Sequence, residues 1–150
     1  MARIRAIRLT PTISTSIYAA GDAVGGLLTF TNISSNPDSG VVLRGVLIHD
    51  EDNEAVNLEL VLFSETFTPT ADNAEFNPSD ADLLNCLGAV LIDSWFAFSG
   101  NAMGVERDVG MPLKLTGSSG SLFGQLVTRG GTPTYTATDD LSVTILLDRS

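Results

Sequence analysis

Two stretches decide the fold: VVLRGVLIH at Val41–His49 and VNLELVLF at Val56–Phe63. In the second, Val56, Leu58, Leu60 and Leu62 fall on one side, while Asn57 and Glu59 open the other. Successive side chains leave a strand on opposite faces, so this period of two marks a half-buried strand. The connection Asp50-Glu51-Asp52-Asn53-Glu54 is polar and turn-prone, and the pair predicts a β-hairpin. LSVTILL at Leu141–Leu147 repeats the alternation, with Leu141, Val143, Ile145 and Leu147 against Ser142 and Thr144.

Working outward, the punctuation stays that of an all-β chain. Tyr18–Asp22 reads as a turn and Val24–Ile33 as a strand, with Gly25-Gly26 as a bulge near its start. Asn36–Gly40 is a turn signal, and Thr66–Phe76 a long loop. Ala89–Phe98, Pro112–Leu115 and Leu122–Thr128 are further strands, with loops at Gly117–Gly120 and Gly130–Pro133. One short helix is predicted over Pro78–Leu87. Asn77 caps it, Pro78 takes its first position, Asp80 sits at the positive end of the dipole and Gly88 closes it. The N-terminus has two readings. Arg3–Thr10 is β-compatible, although Arg8 falls on the same side as Ile4 and Ala6, and Pro11 interrupts it. Residues 1–10 form either an extended arm or the first strand. The whole chain, 1–150, reads as one domain: an all-β, two-sheet antiparallel sandwich of jelly-roll type with one short helix.

Composition narrows the function classes. Hydrophobic residues make up 43% and charged residues 17%, well below the usual quarter, so the chain buries a core rather than staying disordered. Eighteen acids stand against eight bases, for a net charge of −10. Ten of those acids lie between Asp50 and Asp82, where no Lys or Arg occurs; Arg3, Arg5 and Arg8 cluster at the N-terminus without an acid among them. Phosphate backbones need clustered cations, so nucleic acid is not an expected partner. No apolar run reaches the roughly 18 residues of a membrane-spanning helix, so neither is a membrane. Nor is a stretch long enough for a secretory signal found behind Met1–Arg5.

Sequence chemistry points away from catalysis. The one histidine, His49, ends a strand beside Asp50. The one cysteine, Cys86, has no basic neighbour to depress its pKa and reads as an inert buried thiol. Gly117-Ser118-Ser119-Gly120-Ser121 lacks the second glycine of a nucleophile elbow. Counted from Asp50 as a calcium loop, the glycine and terminal glutamate positions are Ala55 and Val61. No enzyme, cofactor or metal site is therefore expected. Among the aromatics, Val90, Ile92, Phe96 and Phe98 alternate as one core-facing side, which leaves Trp95 on the other, exposed or covered by an interface.

Three segments, YAAGDAVGGLLTFTN at Tyr18–Asn32, TADNAEFNPSDADLL at Thr70–Leu84 and LFGQLVTRGGTPTY at Leu122–Tyr135, resemble small structural proteins of tailed bacteriophages. The resemblance is to capsid decoration, or cement, proteins on the outside of the head, and spans most of the chain from Tyr18 onward. It implies a virion location after synthesis in the host cytoplasm, and no catalytic residue. The implied partners are the major capsid protein and further copies of the chain, as a trimer or dimer. Arg3, Arg5, Arg8 and Trp95 are the candidate contact residues. The alternative is a β-sandwich binding module of a phage particle that recognises carbohydrate or a host surface.

Overall fold

The computed structural model describes residues 3–34, 40–115 and 120–149. Residues 36–39 of the predicted Asn36–Gly40 turn and 117–119 of the predicted Gly117–Gly120 loop lie outside them. The described strands are β1 (Arg3–Leu9), β2 (Ala23–Phe30), β3 (Val41–Asp50), β4 (Leu58–Phe63), β5 (Cys86–Ile92), β6 (Trp95–Ala97), β7 (Ala102–Glu106), β8 (Met111–Leu113), β9 (Leu122–Thr128) and β10 (Leu141–Arg149); α1 is Asp80–Leu83.

One sheet runs β1-β10-β3-β7-β6, with β8 also paired to β3; the other runs β2-β9-β4-β5. Neighbours are antiparallel throughout. The chain crosses between sheets after β1, β2, β3, β5, β8 and β9, and β1-β10-β3-β7 faces β2-β9-β4-β5. β1 meets β2 at one side of the sandwich and β7 meets β5 at the other. Two interleaved Greek keys of this kind make a jelly roll. Of the two readings of the N-terminus, the described one is the strand: Arg3–Leu9 pairs residue for residue with Val143–Arg149.

Period-two alternation drives the closure. Leu58, Leu60 and Leu62 from β4, Val143, Ile145 and Leu147 from β10, and Leu43, Val46 and Ile48 from β3 all enter one core, where each is essentially inaccessible to water. Burial of each such side chain contributes roughly 1.5–3 kcal/mol. The expected Gly25-Gly26 bulge is present as a register shift between Val24 and Leu28. It requires glycine: Gly25 has φ +74°, and a Cβ there would lie 2.9 Å from the Pro11 Cβ.

Three expectations are corrected. The hairpin predicted from Val41–His49 and Val56–Phe63 does not form: both stretches are strands, but β3 lies in the six-stranded sheet against β10, β7 and β8, and β4 lies in the other sheet between β9 and β5, so Asp50–Glu54 carries the chain across the sandwich. The helix is one turn, not Pro78–Leu87. Ser79 rather than Asn77 caps it, its hydroxyl accepting from the Asp82 N–H at 3.1 Å, and Gly88 lies inside β5 with φ +141°. Leu83 and Leu84 consequently face water, and Cys86 opens a strand. The predicted strand Ala89–Phe98 is two strands in different sheets. β5 ends at Ile92, Asp93-Ser94 cross the side of the sandwich, and β6 begins at Trp95. This crossing resets the alternation. Ile92 and Trp95 turn inward, while Phe96 and Phe98 are exposed. β7, at Ala102–Glu106, has no counterpart among the predicted strands.

Candidate interaction surface

The two outer faces of the sandwich differ. On the four-stranded sheet, Val61, Phe63, Phe123 and Val127 point away from the main core and would be wet, but the connection from β4 to α1 folds over them. Phe67 stacks on Phe63 with ring centroids 4.0 Å apart, and Phe76 packs beside them. Gln125, fully buried on β9, pins this strap. Its Nε2 donates to the Thr70 carbonyl at 2.7 Å and the Gly25 carbonyl at 3.0 Å, and its Oε1 accepts from the Thr70 N–H at 3.1 Å. Asp72 pins it again, accepting from the Tyr18 hydroxyl at 2.6 Å and the Gly25 N–H at 2.7 Å. The predicted loop is thus an ordered cover with its own apolar cluster.

The six-stranded sheet has no such cover among the described residues. Cross-strand register sets Phe96 beside Met103, Met103 beside His49, Val105 beside Leu47, Leu146 beside Ala6, and Ile4 beside Asp148. Their strand neighbours Val46, Ile48, Val143, Ile145 and Leu147 fill the core, so this set shares the outer face. Its apolar positions run from Phe96 at one edge, 56% exposed, to Ile4 at the other, 64% exposed; between them Met103, Leu47 and Leu146 are half-buried, Val105 is buried, and His49, Thr144 and Asp148 stand among them. Arg8, Arg44 and Arg107 flank these positions and are all exposed. Arg44 Nη2 pairs with Asp148 Oδ2 at 2.9 Å. The chain at Arg107 passes tightly over Gly45, where a Cβ would lie 2.8 Å from the Glu106 carbonyl oxygen.

The four sequence-predicted contact residues separate in space. Arg3, Arg5 and Arg8 share edge strand β1. Arg3 is in register with Arg149, Arg8 faces outward, and Arg5 turns to the inner side with Ile7 and Leu9, its Nη1 donating to the Asn32 carbonyl. Trp95 lies across the sheet on β6, half-buried against the main core with its ring against Gly104. Its Nε1 has no hydrogen-bond partner among the described residues. The aromatics at the surface here are Phe96 and Phe98, which period-two counting through Asp93-Ser94 had assigned to the core. The signal that distinguishes them is that Asp93-Ser94 itself, a polar pair interrupting an otherwise apolar run.

Potentially reactive groups do structural work. Asp50, 1% exposed, accepts from the Asp52 N–H at 2.9 Å and the Ala55 N–H at 2.8 Å, closing the turn after β3. Asp140 accepts from the Thr136 and Ala137 N–H groups, and Asp52 from the Thr136 N–H and hydroxyl, so two loops are laced together by carboxylates. Among the described residues no three His, Cys, Asp or Glu side chains converge as metal ligands. Cys86 is half-buried against the Phe63–Phe67 cluster. His49 Nε2 lies 3.5 Å from the Thr144 hydroxyl, and the histidine lines an open cleft of about 290 Å³ with Glu51, Phe98, Asn101 and Met103. Burial raises the pKa of Tyr18, and its hydrogen bond to Asp72 adds to this. Burial likewise raises that of Tyr135, with the charge of Asp50 adding to it. No helix among the described residues is long and apolar enough to cross a membrane.

No protein-family model matches the chain, and no curated protein matches it. Among solved structures, one from desmodium yellow mottle tymovirus is 10% identical and covers 100% of this chain and 82% of its own, with a TM-score of 0.28. Another, from full particles of Israeli acute paralysis virus heated to 63 degrees, is 12% identical and covers 99% and 67%, again with a TM-score of 0.28. The jelly-roll assignment rests on the chain's own strand order.

Proposed function

We propose that the chain is a structural, non-enzymatic virion protein that binds the outside of a capsid and stabilises it. The observation that carries the proposal is the contrast between the outer faces: one apolar face is sealed by a pinned strap, and the other is left open and flanked by arginines. Large exposed apolar side chains rimmed by polar and charged ones mark an interaction site, and Phe96 and Ile4 stand so on this face. The resemblance of Tyr18–Asn32, Thr70–Leu84 and Leu122–Tyr135 to decoration proteins supplies the partner, the major capsid protein. Copies of the chain occupy the capsid surface as a trimer or dimer, in keeping with the closed symmetry of most homo-oligomers. Arg8 provides the charged margin of the contact, and Phe96 and Ile4 its apolar ends.

The test is co-sedimentation with capsids that lack the protein. Phe96→Ser combined with Ile4→Thr is expected to fold normally, because both side chains are already largely wet and no like charge is set against Asp148, and to lose binding. Saturable binding of the double variant at the parent affinity refutes this docking face. A second reading, a carbohydrate-binding module, is favoured by the cleft in which exposed Phe98 stands beside His49, Glu51 and Asn101. A sugar array in which Phe98→Ala abolishes a specific signal, with no binding to capsids, would replace the first reading by the second.

A further inference from the structure

The sheets' edges are not alike. An edge strand presents unpaired N–H and C=O groups to any extended chain, and folded proteins blunt such edges by shortening, bulging, proline or cover. β6 is short, at three residues. β8 is equally short and contains Pro112. β5 is kinked at Gly88, where its register with β4 shifts. β2 is bulged, and the strap bonds it directly: the Ala23 N–H donates to Ala74, Asn73 donates to Ala23, and Asp72 accepts from Gly25. β1 has none of these devices. Its seven residues keep continuous register with β10, without glycine, proline or bulge. No described residue hydrogen-bonds to the backbone along its free side.

Charge marks what this edge accepts, and Arg8 is the cation it exposes. Among the seven residues Arg3–Leu9 there is no acid, in a chain of net charge −10. Ile4 and Arg8 stand exposed on the outer side. Directly opposed like charges destabilise a strand pair and opposite charges stabilise it, by roughly 0.2–1 kcal/mol per pair. None of the described strands of this chain carries a run of acids that could match the arginines. We infer that β1 is a receptor for an extended, acidic segment of another protein, which adds to the six-stranded sheet as a further strand and sets a carboxylate against Arg8. The inference concerns the edge of the sheet, not its open face, and holds whether or not that face binds a capsid.

The probe is a peptide as long as β1, of alternating valine and glutamate with blocked ends, titrated into the intact protein. Expected results are saturable binding that weakens as salt is raised, slowed amide exchange along β1, and about tenfold weaker binding of the lysine-for-glutamate peptide. A peptide N-methylated on alternate amides is expected not to bind, because strand addition runs through main-chain bonds. Arg8→Glu, on an exposed side chain, is expected to keep the parent fold, lose the glutamate peptide and gain the lysine one. Failure of the glutamate peptide to bind, equal binding of the N-methylated peptide, or protection of β1 in the protein alone through a second copy overturns the inference.

Discussion

Replacing Gln125 by methionine tests whether the strap over the four-stranded sheet is held by its polar pin or by its aromatics alone. Methionine keeps the length and volume but removes the carboxamide. Three hydrogen bonds go, at 2.7, 3.0 and 3.1 Å, and the Thr70 N–H, Thr70 carbonyl and Gly25 carbonyl lose their partner. At a net 0.5–1.5 kcal/mol each, the loss sums to about 1.5–4.5 kcal/mol. The added apolar burial of methionine offsets part of it, and Thr70 is near enough to the surface for water to serve one of its groups. The expectation is a destabilisation of about 2–4 kcal/mol. Urea unfolding at about 2 kcal/mol per molar would read this as a midpoint lower by about 1–2 M. Amide exchange at Thr70 and its neighbours should rise more than exchange in β3 or β10, because the strap can lift without opening the main core. A loss below about 0.5 kcal/mol, with exchange at Thr70 unchanged, would show that Phe67 stacked on Phe63 holds the strap and that the pin is incidental.

Tyr18 and Tyr135 are the chain's two tyrosines, and the folded pKa of each is raised by burial. The neutral forms therefore stabilise the fold fully below the unfolded value of about 10, and that stability is lost as pH rises above it. Tyrosinate absorbance should appear only together with alkaline unfolding; a tyrosine that titrates near 10 in folded protein refutes this. In Gly104→Ala the new methyl would meet Ile92 Cγ2 at 2.6 Å and the Trp95 ring at 3.0 Å. A cost of about 1–3 kcal/mol is expected, with a shift in the emission of Trp95, the chain's one tryptophan. Ala55 sits at φ +50°. Ala55→Gly relieves roughly 1–2 kcal/mol of left-handed strain against an entropic loss of roughly 0.5–1, so calorimetry should find it neutral or up to about 1 kcal/mol more stable.

The fold was legible where period-two alternation runs unbroken. Leu58–Leu62 and Leu141–Leu147 bury the side chains their spacing selects, and the Gly25-Gly26 bulge was readable because glycine tolerates its backbone. Reading failed where a strand changes sheet. Nothing within Ala89–Phe98 other than Asp93-Ser94 announces the crossing, and a crossing reverses every later in-or-out assignment. It failed again at the helix. Asn77, Pro78 and Asp80 are sound N-terminal signals, but the turn stops because β5 must start at Cys86 to pair with β4. The candidate contact surface was half readable. Arg3, Arg5 and Arg8 stood out as a charge cluster, whereas the open face joins β1, β3, β6, β7 and β10, a set that only strand order brings together.

The last two strands of the described chain each take an interior place, one in either sheet. β10 lies between β1 and β3, and β9 between β2 and β4. Until those two arrive, β1 has no neighbour at all, and β3 and β4 lack the partner on one flank. Newly made chain therefore holds β1 and β2 without a strand partner, and β3 and β4 paired on one flank only, while the rest is synthesised. The search for such distant partners places folding in the millisecond-to-second range of non-local β topologies. Over that interval β1, β2 and β3 are open to pairing with the wrong chain. The ten acids between Asp50 and Asp82 give repulsion between copies only once that stretch has been made, so the earliest strands wait without it.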